Sequence, residues 1–145
     1  MGKKINIKNL PTGYQSLITN GRHGIVGDEP KTSAGTDLGF SPEDLILSSL
    51  AMCKVATVRY IARKNKWEIG EVDGEFELNV KRGDGGKLTS NVTAKIKIEG
   101  DLTAEQKTEL LKQADACYVH RMIEGEWNIE NAVELTEEAE KVLVQ

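Results

Sequence analysis

Residues 41–66, SPEDLILSSLAMCKVATVRYIARKNK, carry the strongest periodic signal in the chain. Leu45, Ser49, Met52, Ala56 and Tyr60 recur at three- and four-residue steps, and so do Ile46, Leu50, Cys53, Thr57 and Ile61. The two adjoining stripes predict one long helix with a broad buried face and a cysteine half-way along it. Ser41 is a good N-cap, and Pro42 suits the first helical position, where no amide hydrogen is needed. Glu43 and Asp44 put negative charge at the positive end of the helix dipole, and Arg59, Arg63, Lys64 and Lys66 put positive charge at the other end.

Shorter periods flank this segment. Residues 4–8 alternate polar and apolar, residues 14–19 do so in part, and residues 22–26 read as a third short strand. Leu10-Pro11-Thr12-Gly13 and Asn20-Gly21 are the turns between them, which predicts a small antiparallel meander. Residues 27–39, GDEPKTSAGTDLG, are a loop by composition. Beyond the long helix, residues 67–80 carry Val72, Phe76, Leu78 and Val80, and residues 81–87, KRGDGGK, make a hairpin turn. Residues 88–98 then alternate as Val92, Ala94, Ile96 and Ile98. Their other face is Asn, Thr and Lys, as in a sheet wetted on one side. Asp101-Leu102-Thr103 opens a second helix, with Thr103 and Gln106 as a capping box, running to about residue 116. Residues 117–123 read as a short helical turn, residues 127–135 as a last strand, and residues 136–144 as a charged helical tail. The order βββ–α–ββ–α–β predicts an α+β protein with antiparallel sheets.

Composition narrows the function. At 145 residues, 39% hydrophobic and 29% charged, one globular domain spanning 1–145 is expected. The net charge is −4 and no basic cluster of five residues occurs, so neither nucleic acid nor a membrane surface is an expected partner. No uninterrupted apolar run approaches the ~18 residues of a membrane span. The opening MGKKINIKNL lacks an apolar signal region, and Asn6 does not fit a myristoylation signal, so a cytoplasmic protein is expected. The two cysteines, Cys53 and Cys117, are too few for a disulfide scaffold. With His23 and His120 they offer no obvious zinc set, and no metal or other cofactor is expected.

Each candidate for chemistry also has a plain structural reading. Cys53 fits best as a small hydrophobe in a buried stripe, the common role of a free cysteine, with a reactive thiol as the other reading. Cys117, between a helix and a helical turn, is either packing or a thiol activated at a helix N-terminus. Arg22 lies on a tight turn, where an arginine is commonly just solvated. Glu43 is explained by the helix dipole alone. His120, three residues beyond Cys117, could assist a thiol or serve packing; His23 reads as surface.

In combination these residues resemble the OsmC/Ohr family of thiol-dependent peroxidases. Gly21-Arg22-His23-Gly24 is similar to the family's Gly-Arg-x-Gly turn. The family's central helix opens with a Pro-Glu pair, matched by Pro42-Glu43, and its first cysteine lies ten residues beyond the glutamate, as Cys53 does. Its second cysteine opens a Cys-Pro-Val-His segment about sixty residues on; Cys117-Tyr118-Val119-His120 matches, with Tyr for Pro. The resemblance covers nearly the whole chain.

The resemblance implies an OsmC-like fold, with antiparallel sheets packed around the central helix in an intertwined homodimer. It also implies a peroxidase toward hydroperoxides, with organic ones favoured over inorganic ones. Cys53 would be the peroxidatic thiolate, Cys117 the resolving thiol, and an external dithiol the reductant. Arg22 would hold Cys53 ionised, and Glu43 would orient Arg22. The demand is physical: a free thiol titrates near pH 8.5, burial raises that value and a nearby cation lowers it. Ten residues of helix rise about 15 Å, so Glu43 cannot stand beside Cys53 of its own helix. A second copy, antiparallel about a two-fold axis near Ser48, would bring them level. No metal, flavin or haem is implied. The alternative is a non-enzymatic protein of the same fold that binds a small apolar ligand in the dimer cleft.

Overall fold

The computed structural model describes residues 2–136. Three strands open it: β1 (Asn6–Asn9), β2 (Ser16–Thr19) and β3 (Gly24–Gly27). They form an antiparallel sheet in the order β1-β2-β3, with Ile7 opposite Ile18 and Ile18 opposite Ile25. A loop with one 3-10 turn at Lys31–Ser33 follows. The loop returns to the sheet, where Gly27 bridges Phe40. Gly39 makes this possible, because a Cβ there would stand 2.1 Å from the Val26 carbonyl oxygen.

The long helix α1 runs Pro42–Lys64. Ser41 caps it in a full capping box: its side chain accepts from the Asp44 amide at 3.2 Å, and the Asp44 carboxylate accepts from the Ser41 amide at 3.0 Å. The far end closes with Lys66 in the left-handed region (φ 59°), while the Trp67 amide reaches back to the Ala62 carbonyl at 2.8 Å. That reversal turns Trp67 onto the core and sends the chain into β4 (Val72–Arg82), which pairs along its whole length with β5 (Leu88–Ile98). Val72, Phe76 and Leu78 face Ile98, Ala94 and Val92 across this hairpin, giving it the expected apolar face. Helix α2 (Ala104–Ala114) starts on the Thr103–Gln106 capping box, and α3 (Tyr118–Glu124) starts on Cys117 as N-cap.

The core lies where the second half of α1 meets α2 and the base of the β4–β5 hairpin. Val58, Ala62, Leu110 and Ala114 are fully enclosed, with Ile61, Trp67, Ile69 and Leu102 packed around them. An 18-residue window of α1 has a mean hydropathy of 1.5, enough by length and composition to cross a membrane. Here the helix is instead the one on which β4, α2 and α3 pack.

Two sequence expectations are corrected. The stripe Leu45, Ser49, Met52, Ala56, Tyr60 is not buried: Ser49, Met52, Ala56 and Tyr60 are exposed, and only Leu45 is half-covered. The buried row is Leu50, Lys54, Val58 and Ala62, because α2, α3 and β4 all take that side of the helix. The strand expected over residues 127–135 does not form; the chain runs without helix or strand from residue 126 to residue 136. Alternating side chains make a strand only when a neighbouring edge supplies hydrogen bonds. No described strand of this chain pairs with the segment. Apart from residue 136, the expected helical tail lies outside the described residues.

Candidate dithiol site

The site forms where the middle of α1 meets the joint between α2 and α3. Cys53 is half-buried and Cys117 is 1% exposed; both are free thiols. Consecutive amides of the first turn of α3 reach the two sulfurs. The Val119 amide donates to Cys53 Sγ at 3.4 Å, and the His120 amide donates to Cys117 Sγ at 3.4 Å. The sulfurs are therefore neighbours, although the two cysteines are 64 positions apart along the chain.

The Cys117 thiol is pushed above the ordinary thiol value, foremost by burial. The His120 amide works against this, as expected for an N-cap thiol. The neighbouring Cys53 raises the value further and the Lys54 charge lowers it. Burial wins the balance, so at neutral pH Cys117 rests as the thiol.

Lys54 is the residue that sequence reasoning missed. Its side chain is 6% exposed. The ammonium donates to the Ala114 carbonyl at 3.2 Å and lies 2.9 Å from His120 Nδ1. His120 Nε2 in turn lies 2.9 Å from Glu124 Oε1. The Asp115 carboxylate is 3.9 Å from the ammonium and largely exposed. The available signal was spacing: Lys54 shares a four-residue row with Leu50, Val58 and Ala62, an apolar row in which a lysine is out of character.

Arg22 sits on the β2–β3 hairpin, where the Asn20 side chain accepts from the Arg22 and His23 amides at 2.9 and 2.8 Å. Its side chain is exposed, as is that of Glu43 in the first turn of α1. Glu43 borders a cleft of about 360 Å³ between the start of α1 and β4, together with Asp44, Leu47, Phe76 and Leu78. Among the described residues neither Arg22 nor Glu43 makes an ion pair. Within one chain the fold brings together Cys53 and Cys117 and leaves Arg22 and Glu43 on the surface.

A long helix carrying one thiol against a second thiol at a helix cap, flanked by two antiparallel sheets, defines an α+β dithiol protein. Residues 35–131 match the family model described as OsmC-like protein, and the chain belongs to that family. Its fold is OsmC-like. The OsmC-like protein of Mycoplasma pneumoniae superimposes with a TM-score of 0.74 at 19% identity, over 86% of this chain and 89% of the other. An organic hydroperoxide resistance protein OsmC from Legionella pneumophila gives 0.67 at 19% identity, over 86% and 90%. The organic hydroperoxide resistance protein OhrB of Bacillus subtilis gives 0.65 at 20% identity, over 86% and 92%. No curated protein sequence matches the chain.

Proposed function

We propose that the protein is a thiol-dependent peroxidase that reduces organic hydroperoxides, and also inorganic ones, in defence against oxidative stress. One observation carries the reading: two free thiols held side by side by consecutive amides, in a chain of the OsmC-like family. The names of the Legionella and Bacillus proteins, both organic hydroperoxide resistance proteins, agree with it.

The exposures of the two thiols suggest the division of labour. Cys53 is half-buried and can meet a peroxide; Cys117 is enclosed and can meet only Cys53. The Cys53 thiolate attacks one peroxide oxygen. The S–O bond forms as the O–O bond breaks, and the departing alkoxide takes a proton and leaves as alcohol. The resulting sulfenic acid is attacked by the Cys117 sulfur; the disulfide forms, and hydroxide leaves with a proton as water. An external dithiol reduces the disulfide by two exchange steps.

The reading needs a cation at Cys53, and Arg22 with Glu43 is the pair assigned to that role across a homodimer. Two features support a second copy. Ile46, Met52 and Tyr60 of α1 are exposed, and so are Trp127, Ile129, Val133 and Leu135 of a segment that pairs with no described strand of its own chain. Antiparallel pairing of α1 about an axis near Ser48 sets Glu43 of one chain level with Cys53 of the other. Trp127 and the residues beyond it then have a partner edge to pair with, which gives the intertwined form.

The test is consumption of cumene hydroperoxide with dithiothreitol as reductant. Wild type turns over; Cys53→Ser does not; Cys117→Ser forms sulfenic acid in a single turnover and then stops. A wild type that consumes no peroxide sinks the proposal. A second reading, binding of a small apolar ligand without catalysis, is favoured by a cleft of about 350 Å³ lined by Ile7, Tyr14, Ile18, Phe40 and Leu45. An inert wild type that carries such a ligand through purification would decide for it.

A further inference from the structure

We propose that Lys54 is the positioning cation for Cys117: a buried ammonium, strapped between the end of α2 and His120 of α3, that holds the negative charge of the resolving sulfur as it attacks Cys53. The inference rests on the peroxidase reading and adds to it a residue for the second step.

A lysine is almost never enclosed without a partner that matches its charge. Among the described residues no such partner is enclosed with Lys54. The Ala114 carbonyl at 3.2 Å is a neutral acceptor at the C-terminal end of α2, and Asp115, at 3.9 Å, is 82% exposed and weakened by solvent. An ammonium has donors only, so His120 Nδ1 accepts from it, which leaves the imidazole proton on Nε2, facing Glu124 Oε1. Among the described residues Lys54 is thus held at close range by two neutral acceptors, with one carboxylate, the exposed Asp115, at 3.9 Å. Packing alone would be served better by an apolar residue, as at Leu50 and Val58 of the same row.

The charge has an object nearby. Cys117 is enclosed, and both burial and Cys53 oppose its ionisation, whereas Lys54 favours it. The ionisable groups facing this point come from every helix packed there: Cys53 and Lys54 from α1, Asp115 from the end of α2, His120 and Glu124 from α3. The Ala114 carbonyl that accepts from the ammonium also accepts from the Cys117 amide at 3.3 Å, and His120, which meets the ammonium at Nδ1, donates its amide to the Cys117 sulfur at 3.4 Å, so the same two residues hold Lys54 and Cys117 together. When Cys117 loses its proton to attack the sulfenic sulfur, the Lys54 ammonium compensates the new negative charge. The proton leaves with the displaced hydroxide as water, so no further reactant is needed.

The test uses Lys54→Gln, which keeps a donor for the Ala114 carbonyl but removes the charge, and Lys54→Arg, which restores the charge. In the Cys53→Ser background the ultraviolet absorbance of the thiolate reports Cys117 alone. Lys54→Gln is expected to raise its titration midpoint by about one pH unit, and Lys54→Arg to bring it back. With both cysteines present, sulfenic acid should form at the wild-type rate and disappear about tenfold more slowly in Lys54→Gln, with the pH profile of that step moved upward. Nitrogen NMR of the Lys54 ammonium gives a reading that needs no change at Lys54. In Cys53→Ser its resonance should titrate with the Cys117 midpoint, and Cys117→Ala should remove that step. An unchanged midpoint in Lys54→Gln, or a Lys54 resonance blind to Cys117, overturns the inference. If wild type forms no sulfenic acid, the peroxidase reading fails instead, and the two titrations still decide whether Lys54 governs Cys117.

Discussion

The two halves of α1 live in different surroundings. Its second half is finished within one chain: Val58 and Ala62 meet Leu110 and Ala114 of α2, all at 0–1% exposure. Its first half is open. Ile46 is 54% and Met52 73% exposed, and the nearby sheet shows Ile7 and Ile25 to solvent. The 126–136 segment repeats the contrast, with Ile129 and Val133 the most exposed large hydrophobic side chains of the described residues, at 81% and 90%. One end of the molecule is closed within the chain, and the other leaves large apolar side chains exposed. The thiols stand at the border, Cys117 on the closed side and Cys53 facing the open one.

Met52→Arg tests the contrast most severely. On a free surface a substitution at so exposed a residue changes stability by less than about 0.5 kcal/mol. On a covered apolar face it buries an unpaired guanidinium and drives two chains apart. We expect the variant to sediment as a monomer while wild type sediments as a dimer. We also expect a fall in peroxidase kcat/KM of about 100-fold or more, since in the proposed pairing Arg22 and Glu43 would no longer reach the thiol of the other copy. An unchanged mass and rate would show that the open half is simply surface.

Leu110→Ala probes the closed half. Leu110 is fully enclosed, so losing its side chain removes buried hydrocarbon and leaves a cavity, at a cost of about 3 kcal/mol. The urea midpoint should fall accordingly. The rate of sulfenic acid formation at low temperature should change little, because the core lies on the far side of Lys54 from Cys53. A large loss of rate without loss of stability would mean that the two halves are not separable.

The sequence disclosed the frame of this site more fully than its electrostatics. Ser41, Pro42 and the Thr103–Gln106 pair are local signals, decided within one helical turn, and both helices start where those signals put them. The pair of thiols was implied by the family resemblance, through the ten-residue step from Glu43 to Cys53 and the Cys117-Tyr118-Val119-His120 segment, whereas the helix period placed Cys53 alone. The buried face of α1 was drawn too broad: of the two stripes joined in it, the one with Leu50, Cys53, Thr57 and Ile61 is covered, and the one with Ser49, Met52, Ala56 and Tyr60 is exposed. Which one packs depends on α2 and β4, whose docking is not written in the period of α1. Lys54 was missed for a related reason: a lysine is ordinarily read as solvent-exposed, and only the joint of α2 and α3 shows where its ammonium goes. The 127–135 pattern was a sound strand pattern that pairs with no described strand of its own chain.

Asp28 joins the open sheet to the start of α1 and gives the mildest test. It is enclosed at the end of β3, where its carboxylate accepts from the Thr36 hydroxyl and from the amides of Tyr14, Glu29, Thr36 and Leu38. These bonds, the Thr36 hydroxyl foremost, hold its pKa down to about 2 from an ordinary 3.8, although burial acts the other way. A carboxyl whose folded-state pKa is depressed stabilises the fold above its unfolded value and loses that contribution as pH falls through the folded one. The stability supplied by Asp28 should therefore be complete above about pH 4 and fade toward pH 2. Asp28→Asn, which puts a donor where an acceptor is needed, should lower the urea midpoint at neutral pH. Its deficit relative to wild type should narrow steadily across that acid window. A deficit that stayed constant down to pH 2 would mean that the loop is held by its shape and not by the charge of Asp28.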